Sequence, residues 1–164
     1  LLIFRPIVID FPIDSIRISP DDALLALRLG DKIQIRSLFD GGEIKTFEGA
    51  SAGASLAFSS DSLFVVAGGA NRKVSIWQLS DGALISSYEG HGSGISAVGV
   101  RPDGGVVASG DNRGNVHLWA TATGKQLGTV AESEAFVQFV IFSSTGDQLA
   151  VGWNVGQILF FDVE

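Results

Sequence analysis

Two short segments of the sequence match patterns that bind phosphate or carry a catalytic serine. Residues 49–53 read GASAG, the G-x-S-x-G pattern of a nucleophile elbow, which needs a strand before the serine and a helix after it. An apolar strand pattern at residues 56–58 follows instead. Residues 90–94, GHGSG, resemble a phosphate loop, but neither a Gly-Lys-Ser/Thr ending nor a helical pattern follows. We therefore interpret both segments as loops between strands.

Histidine is the other residue type with possible chemistry, and the chain has His91 and His117. The chain has no cysteine, which excludes a thiolate zinc site, a disulfide framework and a cysteine nucleophile. His91 has two interpretations, a ligand or general base and a buried structural hydrogen bond, and we favour the structural one. We expect His117 to point outward, to solvent or to a neighbouring sheet. No catalytic residue, metal site or cofactor is predicted.

The elements that position these residues follow from an internal repeat. Turn positions 21, 61, 103 and 145 are 40, 42 and 42 residues apart. A second set of positions has nearly the same spacing: Arg36, Trp77, Trp119 and Phe161. Each repeat contains four short apolar segments separated by Gly, Ser and Asp, and none shows a helical period. The pattern predicts one supersecondary unit of four strands per repeat.

Composition limits the function classes. The chain has 164 residues, 46% of them hydrophobic, which suffices for one domain with a buried core. A net charge of −7 argues against nucleic-acid binding, which requires a basic surface. No apolar run is long enough for a membrane-spanning helix, and the N-terminal residues lack the pattern of a signal peptide. We therefore expect a cytoplasmic protein without membrane contact.

The third repeat carries a family resemblance. It contains Gly-His at residues 90–91, VRPDG at 100–104, VASG at 107–110 and VHLW at 116–119. These motifs resemble the repeats of the WD-repeat β-propeller family. The resemblance implies an all-β fold of four four-stranded blades at residues 12–48, 49–89, 90–131 and 132–164. Residues 1–8 are expected to be the outermost strand of a preceding or a closing blade.

The number of blades leaves alternatives open. Rings of this family commonly have seven blades, and four repeats are fewer. The chain is therefore expected to be part of a larger ring, the remainder of which lies in a longer chain. Alternatively, residues 1–8 close four blades on themselves, or two chains form a homodimeric ring of eight blades. An open arc would expose strand edges that invite pairing.

The resemblance also implies site residues. Blades of this family often contain a buried hydrogen-bond network of histidine, serine or threonine, aspartate and tryptophan. In the third repeat the matching residues are His91, Ser109 and Trp119, with Asp111 standing in because the aspartate position holds Arg113. The second repeat has no histidine, so we expect the network in blade 3 alone.

The resemblance favours a non-enzymatic scaffold that presents the loops of one rim to a protein or peptide. Arg and Trp side chains dominate the energetics of such interfaces, which draws attention to residues on these loops. The candidate residues are Asn71, Arg72, Lys73, Asn112, Arg113, Trp153 and Asn154. Trp153 has a second interpretation, in which it covers the thin end of a degenerate fourth blade. A regulatory or sensory propeller attached to a catalytic domain elsewhere is the main alternative. A lactonase- or quinoprotein-like enzyme is a weaker one, because such sites need converging carboxylates and histidines.

Overall fold

The structure, a computed structural model, describes residues 7–53 and 55–163, which fold into four antiparallel sheets without a helix. The strands of each sheet neighbour each other in chain order, so each sheet is one meander, and we call the sheets blades 1 to 4. Blade 1 contains β1 (Ser15–Ile18), β2 (Leu24–Leu29), β3 (Lys32–Ser37) and β4 (Glu43–Phe47). Blade 2 contains β5 (Leu56–Phe58), β6 (Phe64–Gly68), β7 (Val74–Gln78) and β8 (Leu84–Tyr88). Blade 3 contains β9 (Ile95–Val100), β10 (Val106–Asp111), β11 (Val116–Ala120) and β12 (Gln126–Ala131), and blade 4 contains β13 (Val137–Phe142), β14 (Gln148–Trp153) and β15 (Ile158–Asp162).

These four sheets confirm the all-β propeller architecture that the sequence predicted. The blades lie within the predicted repeat boundaries, which remain a prediction about domain limits. Blade 4 has three strands among the described residues. Of the outermost strand predicted at residues 1–8, residues 1–6 lie outside the described part, and Ile7 and Val8 belong to no strand.

The second strand of each blade is the most buried. All residues of β6 and β10 are buried, because each strand lies mid-sheet and both faces of its sheet are covered by neighbouring blades. Such strands read as continuous apolar runs rather than as alternating ones. The fourth strands are more exposed, as expected for an outer edge. The first strands contact each other in the order β1, β5, β9 and β13, so they form the inner side of the arc.

Apolar clusters hold adjacent blades together. One cluster joins Ile33 and Ile35 of blade 1 to Val65 and Trp77 of blade 2, and similar clusters join the later blades. Close approach requires a glycine on the second strand, because a Cβ built on Gly110 would lie 2.3 Å from the Val137 side chain. The tight packing between adjacent blades therefore fixes the positions of the strand ends from which the loops begin.

Candidate functional site

A hydrogen-bonded cluster lies in blade 3, near the loop that enters it. The Nε2 atom of His91 lies 2.6 Å from Ser109 Oγ, and its Nδ1 atom lies 3.3 Å from Asp111 Oδ2. The indole N–H of Trp119 donates to the same Ser109 Oγ at 3.2 Å. The structure therefore brings together the four residues expected to form a network, and all four are buried.

A β-bulge at the end of β10 positions the side chain of Asp111. The pairing of β9 and β10 shifts register between Gly110 and Asp111, and such bulges redirect a side chain. One oxygen of Asp111 accepts the backbone N–H groups of Arg113 and Asn115, which fixes the turn that follows β10. The carboxylate thus organises the turn and also orients His91.

The direction of each bond follows from the donors present. The Trp119 indole can only donate, so Ser109 Oγ accepts from it. An ionised Asp111 can only accept, so the ring proton of His91 lies on Nδ1 and is donated to Asp111, and the free Nε2 accepts the proton of the Ser109 hydroxyl. Burial and the neighbouring His117 lower the pKa of His91 to about 4, so the imidazole is neutral at pH 7.

Asp111 stays ionised in the same cluster. Burial acts to raise the pKa of Asp111, but hydrogen bonds from Asn115, Arg113 and His91 outweigh it and hold the pKa below its ordinary value. The bond between His91 and Asp111 therefore joins a neutral imidazole to a carboxylate. Such a charge-assisted bond is stronger than one between neutral groups.

His117 extends the cluster toward blade 2. Its ring stacks on the ring of His91 with centroids 4.2 Å apart, and its Nδ1 atom lies 2.7 Å from the hydroxyl oxygen of Tyr88. Burial lowers the pKa of His117 as well. Of the two positions expected for His117, the structure shows contact with a neighbouring sheet, although the side chain is only half-buried.

The connectivity of Ser109, His91 and Asp111 is that of a catalytic triad, but its setting is different. Ser109 Oγ already accepts the Trp119 N–H, and the residue is completely buried. A substrate carbonyl cannot reach the oxygen in this conformation, whereas a nucleophile must contact its substrate. The arrangement is suited to holding the loop that carries His91 against blade 3.

A second buried polar group, Arg28, was missed in the sequence. Its guanidinium is completely buried, and its Nη2 atom donates to the carbonyl oxygens of Ala50, Ser51 and Gly68. Its Nη1 atom is buried and has no hydrogen-bond partner among the described residues. The signal was available, because Arg28 interrupts an apolar strand at the position where the later blades have a glycine such as Gly110.

The loops that enter each blade and the turns between second and third strands meet on one rim. We call them entry loops and central turns. The same backbone hydrogen bond joins an entry loop to a central turn in blades 2, 3 and 4. These bonds run from the Ala70 N–H to the Ala52 oxygen (2.8 Å), from Asn112 to Gly94 (2.9 Å) and from Asn154 to Phe136 (3.0 Å). The repeated bond fixes each entry loop to the central turn of its own blade.

The candidate binding residues on the central turns differ in exposure. Asn71, Arg72, Asn112 and Arg113 are exposed, and neither guanidinium makes an ion pair with a described residue. Lys73 is half-buried and pairs with the Glu89 carboxylate at 2.5 Å. Arg72 and Arg113 are therefore the cations of the central turns that are available to a partner.

Of the two interpretations of Trp153, the structure does not place the side chain as an exposed binding anchor. Trp153 is 3% exposed, and its indole N–H donates to the Gly114 carbonyl oxygen of blade 3 at 3.2 Å. The side chain fills the interface between blades 3 and 4, so it offers no surface to a partner in this conformation. The neighbouring Asn154 is exposed on the rim. Trp153 is the last residue of β14 rather than a loop residue, and its burial depends on the contact with blade 3, which the sequence of blade 4 does not reveal.

The two motif-like segments are loops. Residues 49–53 belong to the entry loop of blade 2, and the strand β5 follows them. Residues 90–94 form the entry loop of blade 3. Among the described residues, no group of three or more histidine, aspartate or glutamate side chains is placed to hold a metal ion. The described part of the chain contains no helix that is long and apolar enough to cross a membrane.

The four stacked antiparallel blades define a β-propeller fold. A family model described as "WD domain, G-beta repeat" matches residues 41–78 and 82–120. Residues 41–120 therefore contain two WD repeats. Each matched range begins at the fourth strand of one blade and ends at the third strand of the next, so the sequence repeat spans two sheets.

Structural comparison supports the same fold. The crystal structure of the computationally designed Ika4 protein matches with a TM-score of 0.83 and 21% sequence identity. The match covers 96% of this chain and 94% of that chain, and at this identity it shows the fold alone. A comparison with curated proteins finds no match.

Proposed function

We propose that the chain is a non-enzymatic scaffold that binds a protein or peptide on the rim of entry loops and central turns. The observation that carries the proposal is the backbone bond that repeats in blades 2, 3 and 4 and fixes this rim. A preorganised surface loses little conformational freedom on binding, which favours affinity. The buried Arg28 and His91 clusters, which hold two of the entry loops, support the same interpretation.

Two exposed arginines of the rim favour an acidic segment in the partner. Arg72 and Arg113 lie on the central turns of adjacent blades and are exposed without ion pairs among the described residues. A guanidinium binds carboxylates in a bidentate manner and is enriched in interface hot spots. We infer that these two groups bind carboxylates of the partner, although the net charge of the chain is −7.

The test is a peptide selection on the full chain, followed by affinity measurements. Random peptides displayed on phage are selected on the 164-residue chain, and the Kd of each selected peptide is measured by calorimetry. We expect Arg72→Ala and Arg113→Ala to weaken binding about 10-fold each, which is typical of interface arginines. Lys125→Ala is the matched control, because Lys125 is an exposed cation on a turn at the opposite ends of the strands.

Two results would contradict the proposal. One is a selection that yields only peptides whose affinity is unchanged by both arginine substitutions and weakened by Lys125→Ala. The other is a selection that yields no peptide at all. A protein partner is then sought on another surface.

An enzymatic role finds less support in the central groove. A groove of about 430 Å³ on the inner side of the arc is lined by the first strands of all four blades. Its polar lining groups are the Arg17 guanidinium, the Ser55 and Ser96 hydroxyls and the Gln138 amide. Hydrolytic chemistry relies on carboxylates or histidines at such a position. A regulatory role beside a separate catalytic domain, and a cytoplasmic location, stay predictions.

A further inference from the structure

The entry loop of blade 3 lies between two central turns that each carry an exposed arginine. The N–H of Asn112, on the central turn of blade 3, donates to the Gly94 carbonyl oxygen at 2.9 Å. A Cβ built on Gly94 would also lie 3.4 Å from the Cα of Ala70, on the central turn of blade 2. Arg113 directly follows Asn112, and Arg72 is two residues after Ala70. One glycine of the loop therefore lies against both turns, close in sequence to each arginine.

Arg72 occupies a backbone conformation that favours glycine. Its φ is +69°, in the left-handed region. The equivalent residues of the two later blades, each two residues before the third strand, are Gly114 at +86° and Gly156 at +82°. A glycine would form the turn of blade 2 without steric cost. Strain of this kind is concentrated at functional sites, so the presence of an arginine is explained by its guanidinium rather than by the turn.

The entry loop of blade 3 also keeps backbone donors that the fold does not use. The N–H groups of Gly92, Ser93 and Gly94 donate to no described residue. In the entry loop of blade 2, by contrast, the N–H of Ala50 donates to the Asp31 carbonyl oxygen at 2.9 Å. Gly92 is exposed, and a Cβ built on it would meet no atom within 4 Å, so a ligand can approach the backbone there. Successive backbone N–H groups of a loop can form a concave site for an anion.

The loop and its two flanking turns contain two carboxylates, and both have partners. Glu89, at the start of the loop, forms an ion pair with Lys73 at 2.5 Å. Asp111 is completely buried and accepts hydrogen bonds from the His91 ring and from the N–H of Arg113. Neither carboxylate pairs with an arginine side chain of these turns. The guanidinium groups therefore keep their capacity to bind an external anion.

We propose that this loop and the two arginines bind a phosphoryl group, carried by a phosphorylated serine or threonine of the partner. The inference rests on the proposed function and specifies one anionic group of the acidic segment. A phosphoryl group has three acceptor oxygens and between about one and a half and two negative charges at pH 7. It binds guanidinium groups in a bidentate manner. A carboxylate has two oxygens and one charge, so it matches two arginines and several N–H donors less well.

A phosphate on a peptide fits these residues better than a nucleotide does. The strand β9 follows the loop directly, whereas a nucleotide-binding loop ends with Gly-Lys-Ser/Thr and continues into a helix. The groove on the inner side of the arc, which could enclose a small ligand, is lined by neither Arg72 nor Arg113. The donors lie instead on the exposed rim, which an extended peptide can reach.

The first test is the binding of inorganic phosphate to the ¹⁵N-labelled 164-residue chain, followed by NMR at constant ionic strength. We expect saturable shifts of the amide signals of residues 90–94. Arg72→Gly should weaken phosphate binding about 10-fold. The same variant should be at least as stable as the wild type in urea, because glycine adopts the positive φ freely. Weaker binding with retained stability separates a ligand-binding role of the arginine from a structural one.

A pair of matched variants tests the position of the site. Gly92→Asp and Gly128→Asp each add one negative charge at a glycine whose Cβ would meet no atom within 4 Å and whose φ is not left-handed, so both should fold. Residue 92 lies in the entry loop, whereas residue 128 lies in the outer strand β12. We expect Gly92→Asp to abolish the phosphate-induced shifts and Gly128→Asp to leave them unchanged. Equal affinities in these two variants, or no saturable shift at residues 90–94 of the wild type, would overturn the proposal.

The second test separates this site from the general scaffold function. Three synthetic peptide libraries differ only in the central residue, which is phosphoserine, serine or glutamate. We expect the phosphoserine library to bind the chain about 10-fold more tightly than the other two, and Arg113→Ala to reduce this difference. Equal binding of the phosphoserine and glutamate libraries, still weakened by Arg72→Ala, would overturn the phosphoryl site and leave the proposed function intact. Binding of no library, whatever the phosphate titration shows, would contradict both.

Discussion

The interface between blades 1 and 2 lies in front of blade 2, and that between blades 2 and 3 lies in front of blade 3. Both contain a stacked aromatic pair, but they differ in the polar group beside it. Phe47 stacks on Trp77 with centroids 5.8 Å apart, and Tyr88 stacks on Trp119 at 5.6 Å. In both cases the first ring comes from the fourth strand of one blade and the second from the third strand of the next. The stack is therefore the common element of the two interfaces.

The polar groups hold the entry loops in opposite ways. At blade 2, Arg28 of the preceding blade reaches across and donates to carbonyl oxygens of the entry loop, including that of Ala50. At blade 3, the entry loop itself provides His91, which bonds inward to Ser109 and Asp111. One loop is fixed by a permanent cation and the other by a titratable ring.

The difference teaches that apolar stacking joins the blades, whereas the polar groups position the loops. The two entry loops are also expected to respond differently to pH, because one is held by an arginine and the other by a histidine. Burial lowers the pKa of Arg28, but an arginine stays charged throughout the neutral and acidic range. His91 has a pKa of about 4, so acid protonates the group that holds the entry loop of blade 3 and leaves Arg28 charged.

The largest expected effect comes from removing the aromatic rings. Trp119→Ala and Trp77→Ala should each lower the free energy of unfolding by about 3–5 kcal/mol, because each opens a cavity. Trp119→Ala should cost more, since it also removes the donor to the buried Ser109 oxygen. Urea denaturation at one fixed protein concentration measures both. An equal loss in the two variants would show that the network adds nothing to the stack.

The period of the repeat made most of the fold predictable. Each strand of the propeller was visible as an apolar segment between turns, because four copies of the pattern align. The four network residues were also found, since the third repeat keeps the family motifs and His91, Ser109 and Trp119 lie at motif positions. Repetition and motif position are properties that a sequence contains directly.

Departures from the repeat were less predictable. Arg28 replaces a glycine, and only the structure shows that its guanidinium reaches the carbonyl oxygens of the next blade's entry loop. The sequence suggests that Trp153 lies in a loop. In the structure its ring is buried, and its indole N–H donates to a carbonyl oxygen of the preceding blade. Such features depend on contacts between blades, which cannot be predicted from the sequence pattern of a single blade.

Acid should destabilise the interface in front of blade 3. The pKa of His91 is about 4 in the fold and 6.5 in its absence, so the unfolded chain binds the proton first as the pH falls. Stability is therefore complete above pH 6.5 and is lost toward pH 4, by about 3 kcal/mol. His117 acts in the same direction, because burial lowers its pKa too. Denaturation curves between pH 7 and pH 4.5 measure the slope.

The matched control for the pH dependence is His91→Asn, which removes the titrating ring. This variant should be less stable at pH 7 but should show a smaller slope between pH 6.5 and 4.5. The carboxylate of Asp111 does not obscure the result, because its pKa lies below the ordinary value and it titrates at lower pH. A wild-type stability that is constant over this range would refute the assignment of a neutral, buried His91.

The smallest effect tests the other side of the comparison. Arg28→Met fills the volume of the stem and removes the donors to Ala50, Ser51 and Gly68. Two effects oppose each other: the carbonyl oxygens lose their partners, whereas the buried charge, whose Nη1 atom is unpaired, disappears. We expect the lost acceptor bonds to dominate, with a net loss of about 2 kcal/mol that is independent of pH.

The control for this substitution is Arg17→Met, which removes an exposed guanidinium of the same blade that, among the described residues, bonds only to the adjacent Ile16 carbonyl oxygen. Hydrogen exchange, corrected for intrinsic rates, should rise in residues 48–53 of Arg28→Met and stay unchanged in residues 89–94. A gain in stability with unchanged hydrogen exchange would mean that the buried charge of Arg28 destabilises the interface. In that case His91 would be the one polar group of the pair that positions a loop, and the parallel between the two interfaces would fail.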